Sequence, residues 1–329
     1  MIIYTPPAAA KNIPIIDLSD SFSHDLEKRK VVAWEIHKAA RQTGFFYIKN
    51  HGIPLELQKA QFEIAKDFFK TPLMEKMLLN SKASNCLRGY EPIAAQTLDE
   101  GSPPDLKEGF LLGRDLSESH PHVKRQTPYH GSNQWPLGNP RFRQQAEDYM
   151  SYMDILGRKI VRLLALSLQL PEDFFDEGLK EPMIISRMLH YPSQPMDARE
   201  NQIGAGAHTD WGLITLLLQD EVGGLEVRNA DGEWLKAPFI EGTFVVNLGD
   251  MVPVLTNGLY HSTMHRVYNS KKDTPRYSIP TFFDLDYYYS AEVVPTLRRT
   301  GESYPAPITV GEHIAAMFDK TFGIKHQTV

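Results

Sequence analysis

Cysteine is nearly absent: Cys86 is the only one in 329 residues. An intrachain disulfide and any site built from several thiolates are excluded, and a reducing compartment, the cytoplasm, is the expectation. Long apolar runs are missing as well. Nowhere do about 18 apolar residues follow one another, so no membrane span is expected. Met1–Ala10 has neither a basic start nor an apolar core and does not read as a secretory signal. Positive charge is not in excess, with 35 Lys+Arg against 41 Asp+Glu and a formal net charge of −6. That balance offers no overall basic face for nucleic-acid phosphates. No internal repeat or low-complexity tract is visible. What is present, 42% hydrophobic and 23% charged residues, is ordinary globular composition, long enough for one large core or two domains.

Helical signals dominate the first part of the chain. Val31, Val32, Trp34, Ile36, Ala39 and Ala40 predict a helix over Leu26–Arg41. Gly44 stops it, and Phe45-Phe46-Tyr47-Ile48 reads as a buried strand. A second helix is expected over Leu55–Phe69. Residues 80–140, rich in Gly, Pro, Ser, Asn and His, read as one long loop region. Asn139-Pro140 then gives a cap followed by proline at the first helical position, and apolar side chains from Phe142 to Leu164 predict the longest helix, Arg141–Gln169. Beyond residue 182 the pattern turns to strands: Ile184–Tyr191, His208–Gln219, Leu225–Arg228, Phe244–Leu248, Ser262–Tyr268 and Tyr277–Phe283. Asn229-Ala230-Asp231-Gly232 is a hairpin signal. Strands at this spacing suggest a sandwich or jelly roll, and a last helix is expected over Val310–Phe322.

Chemistry concentrates in Gly206-Ala207-His208-Thr209-Asp210-Trp211. Residues two apart in a strand face the same way, so His208 and Asp210 would project together. A third donor from a neighbouring strand would complete a metal site, and His265 is the best candidate. Two histidines and a carboxylate leave half of an octahedron open, as in non-haem Fe(II) oxygenases. Zinc is compatible with the same donors, whereas calcium prefers more oxygen ligands. A strand-end histidine hydrogen-bonded to its aspartate neighbour is the plainer reading of the tripeptide alone. Arg276 and Ser278 likewise share one strand face. They suit a carboxylate held by a guanidinium fork and a hydroxyl, or Arg276 pairs with a surface glutamate while Ser278 is exposed.

Taken in order, His208-x-Asp210, His265 and Arg276-x-Ser278 resemble the 2-oxoglutarate/Fe(II)-dependent dioxygenases, in the isopenicillin N synthase-like branch. Gly44-Phe45-Phe46-Tyr47-Ile48-Lys49-Asn50-His51-Gly52-Ile53 is similar to the N-terminal signature of that family. Asn247-Leu248-Gly249-Asp250-Met251 and Thr256-Asn257-Gly258 resemble the connection to its distal histidine. The resemblance implies a mainly β fold with flanking helices, a distorted double-stranded β-helix (jelly roll). Residues 1–181 would pack on a core at 182–290, followed by a C-terminal segment with a helix at 291–329. It implies His208, Asp210 and His265 as ligands of Fe(II). Arg276 and Ser278 would bind the distal carboxylate of the cosubstrate 2-oxoglutarate, with Tyr191 hydrogen-bonding it. With O2, oxidative decarboxylation of 2-oxoglutarate would be coupled to hydroxylation, desaturation or cyclisation of a small organic substrate. An oxidase that dispenses with 2-oxoglutarate, using Arg276 and Ser278 for a substrate carboxylate, is the alternative within the branch. A non-catalytic carboxylate-binding jelly roll with a structural metal is the alternative outside it. Expected partners are a small-molecule substrate, no nucleic acid and no membrane, the protein being a monomer or weak homo-oligomer.

Other candidates carry less. His261 would lie roughly 13 Å from His265 along a regular strand, too far to share an ion. His51 is expected to serve a turn. His120, His122 and His130 fall in the Pro-rich loop with no regular element to fix them. Trp211 and Phe283 either line the pocket or fill the core. Residues 84–115, with Arg88, Tyr90, Lys107 and Phe110, are expected to form part of the substrate entrance. There Arg88 and Lys107 either meet an acidic substrate or pair with Glu91 and Glu108.

Overall fold

The computed structural model describes residues 9–97, 104–193, 204–268 and 273–322, the side chains of 319–322 excepted. Strand β1 (Ile15–Asp17) leads to helix α1 (Leu26–Gln42), which the Asp25 carboxylate caps by accepting from Glu27 N at 2.9 Å. Gly44 ends that helix at φ +64°, where a Cβ would collide with the backbone oxygen of His261. Strand β2 (Phe45–Lys49) and helices α2 (Leu55–Phe69) and α3 (Leu73–Met77) follow. The expected loop region instead contains β3 (Gly89–Glu91), β4 (Glu108–Gly113) and the short α4 (Pro121–Lys124). Helix α5 (Pro140–Ser167) starts as its cap predicts, with Asn139 Oδ1 accepting from Phe142 N at 3.0 Å.

The strand-rich part runs β5 (Met183–Tyr191), β6 (Ala205–His208), β7 (Ile214–Gln219), β8 (Leu225–Arg228), β9 (Trp234–Ala237) and β10 (Phe244–Leu248). After α6 (Met251–Leu255) come β11 (His265–Val267), β12 (Arg276–Asp284), β13 (Ser290–Ala291), β14 (Ile308–Thr309) and α7 (Val310–Phe322). Eight strands form one sheet in the order β1-β2-β10-β7-β12-β5-β4-β3, and four form a second, β6-β11-β8-β9. All these pairings are antiparallel except β1 with β2.

Alternation in the strands builds two cores. In β2, Phe45 and Tyr47 point toward the small sheet and pack with Ala205, Leu225, Val227 and Val267. Their neighbours Phe46 and Ile48 point the other way, into the cluster shared with α1, α2 and α5. Helices cover the outer face of the large sheet, and the two sheets close over each other as the expected jelly roll. Helix α5 lies so close to β12 that a Cβ on Gly157 would run into the Phe283 ring.

Two strand expectations change by more than one residue at an end. The run His208–Gln219 breaks into β6 and β7, because residues 209–213 turn the chain from one sheet to the other. The run Ser262–Tyr268 shortens to β11, so His261 is an exposed residue outside the strand. Among the described residues no helix is long and apolar enough to cross a membrane.

Candidate metal centre and its two cavities

Strands β6 and β11 pair so that His208 and His265 stand directly opposite each other, ring centroids 4.3 Å apart. Asp210 lies just past the end of β6, in the turn rather than on the strand. One of its oxygens, Oδ1, sits 3.8 Å from His208 Nε2 and 3.7 Å from His265 Nε2. All three ligand-type atoms fall within 4.8 Å of one another, and among the described residues no other group of acids, histidines or cysteine meets that spacing.

The surroundings prepare these atoms for a cation. Each imidazole Nδ1 is spent on the backbone oxygen two residues earlier: His208 on Gly206 O at 2.7 Å, His265 on Thr263 O at 3.1 Å. That bond places the proton on Nδ1 and leaves the Nε2 lone pair free. Asp210 Oδ2 accepts from Thr215 Oγ1 at 2.5 Å and Asn247 Nδ2 at 2.7 Å, which turns Oδ1 toward the histidines. Burial pushes the His208 pKa down to about 3, with His265 adding to the effect. Burial would raise Asp210, but the two imidazoles and the Thr215 and Asn247 donors outweigh it and hold the carboxyl below its ordinary range. Two imidazoles offering Nε2 and an ionised aspartate are a donor set suited to a divalent metal.

Asp250 braces the site from behind. It accepts from Thr209 Oγ1 at 3.2 Å and Ser262 Oγ at 2.6 Å, tying the turn beside Asp210 to the segment that delivers His265. The sequence signature around Asn247-Leu248-Gly249-Asp250 thus supports the trio. Neither Asn247 nor Thr215 stood out as a site residue, although a polar residue inside the apolar Phe244–Leu248 run was a visible signal.

Beyond the trio lies a cavity that reaches Arg276 and Ser278. Both are fully buried, so the surface-pair reading fails. Arg276 donates from Nη1 to Ser278 Oγ at 3.0 Å and from Nε to Gly223 O, while its Nη2 has no partner. Its guanidinium carbon lies 4.6 Å over the Tyr191 ring, which lines the same cavity. A buried cation with an unsatisfied donor beside a hydroxyl fits an incoming carboxylate. Lys107 also lines this cavity, bound to Asp105 Oδ2 at 2.5 Å, and Asp105 Oδ1 accepts from Gly206 N at 3.0 Å.

A second cavity opens from the other side of His208 and Asp210. Trp211 lines it, whereas Phe283 is core. Burial pushes Asp284, in its wall, up to about 7, with the Leu213 N–H opposing and the Asp210 charge assisting.

The expected entrance is corrected in detail. Arg88 is buried, donating to Cys86 O at 3.0 Å and Tyr129 O at 2.8 Å. Phe110 packs in the core against Phe68, and Tyr90 donates to Glu108 Oε2 at 2.6 Å. Glu108 takes Lys76 at 2.7 Å, and Glu91 takes Arg187, so neither suggested pairing forms. The reason is β4, buried on both faces, which turns this stretch into a sheet edge; residues 98–103 of it lie outside the described residues. His51 does serve a turn, accepting from Ile53 N at 3.1 Å. His122 stacks on His130 at 4.4 Å and on His120 at 5.5 Å, a packed group rather than a loose one.

Comparison with known proteins gives two family matches. Residues 13–138 match the model described as the N-terminal region of non-haem dioxygenases in morphine synthesis, and residues 181–285 match the 2OG-Fe(II) oxygenase superfamily. A 2-oxoglutarate-Fe(II) type oxidoreductase, hxnY of Emericella nidulans, is 39% identical over 317 residues, covering 94% of this chain and 90% of that one. The 2-oxoglutarate-dependent dioxygenase citB of Monascus ruber is 38% identical over 328 residues, covering 95% and 96%. The crystal structure of a full-length Neurospora crassa protein in complex with alpha-KG and thymine superposes with a TM-score of 0.80 at 28% identity, covering 94% of this chain and 96% of that one.

Proposed function

The chain belongs to the 2-oxoglutarate/Fe(II) oxygenase superfamily, and from that premise we propose that His208 Nε2, Asp210 Oδ1 and His265 Nε2 hold its iron, while Arg276 and Ser278 take the distal carboxylate of 2-oxoglutarate beside Tyr191. The protein is an oxidoreductase, a 2-oxoglutarate-dependent Fe(II) dioxygenase acting on a small-molecule substrate. Bound in the trio, Fe(II) supplies the redox chemistry by which O2 and 2-oxoglutarate are consumed and the substrate is oxidised, leaving succinate and carbon dioxide. The chain's own part is positional. Gly206 O and Thr263 O hold the imidazoles in the ligating tautomer, and Thr215 with Asn247 fixes the carboxylate. Arg276 anchors the far end of the cosubstrate, and the apolar wall around Trp211 keeps water from the reacting side.

We assign residues 182–290 to the catalytic core, 1–181 to the region packed on it, and 291–329 to a segment whose helix α7 lends Ile314 and Phe318 to the substrate wall. The observation that carries the site assignment is the shared cavity, with the trio at one end and the unpartnered Arg276 Nη2 at the other.

Fe(II)-reconstituted protein incubated in air with 2-oxoglutarate should release succinate, and His265→Ala should release none. Calorimetric titration of Mn(II)-loaded protein with 2-oxoglutarate should show Arg276→Met binding about 10- to 100-fold more weakly, the loss of a charge-assisted contact. Undiminished succinate from His208→Ala or His265→Ala would remove the ligand assignment. Equal affinity in Arg276→Met would give Arg276 to the substrate instead.

A further inference from the structure

The cavity on the Trp211 side of the trio is a candidate small-ligand pocket, concave and placed against two of the three metal-ligand candidates. Its lining is mostly apolar, with Leu111, Met183, Trp211, Phe282, Ile314 and Phe318 on its walls. Trp211 and Phe318 meet edge to face at 5.0 Å, so the wall contributes flat aromatic surface.

The one basic side chain in this wall is cancelled by Glu91, and the other ionisable carboxyls, Asp210 and Asp284, are acidic. Among the described residues one Lys or Arg reaches it, Arg187. Both terminal nitrogens of that guanidinium are engaged: Nη1 donates to Gln96 Oε1 at 2.9 Å and Nη2 to Glu91 Oε2. Its Nε has no partner but is buried, 3.2 Å from where a Cβ on Gly109 would stand, against β4. Glu91 is 5% exposed, so the ion pair is a buried one whose charges offset each other. Capturing a substrate carboxylate in a guanidinium fork would require Arg187 to abandon Glu91 and leave a buried acid unpaired. Asp284 joins Glu91 and Asp210 as a third acidic side chain of the same wall, with Oδ1 accepting from Leu213 N. Glu91 and Asp284 therefore present acceptor oxygens to whatever enters, while the Gln96 oxygen is already accepting from Arg187.

We propose that this cavity selects an uncharged flat molecule, an aromatic or heteroaromatic ring bearing hydroxyl or N–H donors, and rejects its carboxylated analogue. Glu91 sets that preference by cancelling the charge of Arg187. The proposal rests on the assignment of His208, Asp210 and His265 as the iron site, since that places the cavity on the substrate side.

The test uses matched pairs, methylated phenols such as p-cresol against the corresponding methylated benzoates, titrated into full-length protein loaded with Mn(II) and 2-oxoglutarate. The neutral member of each pair should bind at least 10-fold more tightly to the unaltered protein. Glu91→Gln, which frees the Arg187 charge, should reverse or erase that preference. If Glu91→Gln does not fold, Gln96→Glu, which places a second acid on Arg187, should widen the discrimination. Tighter binding of the benzoates, or an unchanged preference in a folded Glu91→Gln protein, overturns the proposal. So does failure of both members to bind while 2-oxoglutarate still does. Failure of 2-oxoglutarate itself to bind the Mn(II)-loaded protein strikes at the iron-site assignment instead.

Discussion

Asp210 illustrates how much of the site resides in single hydrogen bonds. One of its oxygens faces the two imidazoles because the other is held by Thr215 and Asn247. Asn247→Ala should weaken metal retention about 10- to 100-fold, the usual cost of losing a residue that orients a ligand. Competition of Mn(II)-loaded protein with a chelator measures this, and unchanged retention would mean that Thr215 alone suffices. The five polar residues of the proposed site, His208, Asp210, His265, Arg276 and Ser278, could be singled out in the sequence because their ordered spacing resembles a family pattern, where each motif alone left a plainer reading open. Arg187 could not. Its meaning depends on Glu91, a residue far away in the chain, and no local pattern announces such a pairing.

Among the elements, those with a long apolar period were read almost to the residue. Helix α2, strands β8 and β10 and helix α7 have the bounds their patterns predict. Strands β3 and β4 were missed because β4 is buried on both faces and carries no alternation, while β3 is only Gly89–Glu91. The close approach of α5 to β12 depends on Gly157, where a Cβ would meet the Phe283 ring. Gly157→Ala should destabilise the protein by about 1–3 kcal/mol, the range for overpacking a filled core. Helix propensity favours alanine by about 1 kcal/mol, which places the expected loss at the lower end. A lowered urea midpoint with an unchanged slope would report this; a raised midpoint would show that Phe283 can move aside.

For the molecule as a whole, two kinds of linkage follow. Burial, with His122 and Arg88 adding to it, pushes the His130 pKa from 6.5 down to about 4. The unfolded chain therefore takes up this proton near its ordinary value while the folded protein refuses it until about 4. The stability attached to neutral His130 is present above 6.5 and is lost as pH falls toward 4. Melting temperature should decline over that window, and His130→Gln should decline less; parallel curves would show that another group governs the acid limb. The second linkage runs through the metal and cosubstrate. Histidines that ligate through Nε2 add no charge, so the trio carries the negative charge of Asp210, and Arg276 supplies one positive charge at the other end of the cavity. A divalent cation overcompensates the trio, and dianionic 2-oxoglutarate then brings the whole set back to neutrality. Each ligand removes a charge imbalance left by the other, so their binding should be mutually reinforcing. A metal at about 100 times its Kd stabilises by about 2.7 kcal/mol, on the order of 5 °C for a chain of this size. 2-Oxoglutarate should raise the melting temperature well beyond that when Mn(II) is present and little when the metal is chelated, and in His265→Ala the increment should vanish. An equal increment with and without metal would place the cosubstrate on Arg276 alone and dissolve the coupling between the two ends of the cavity.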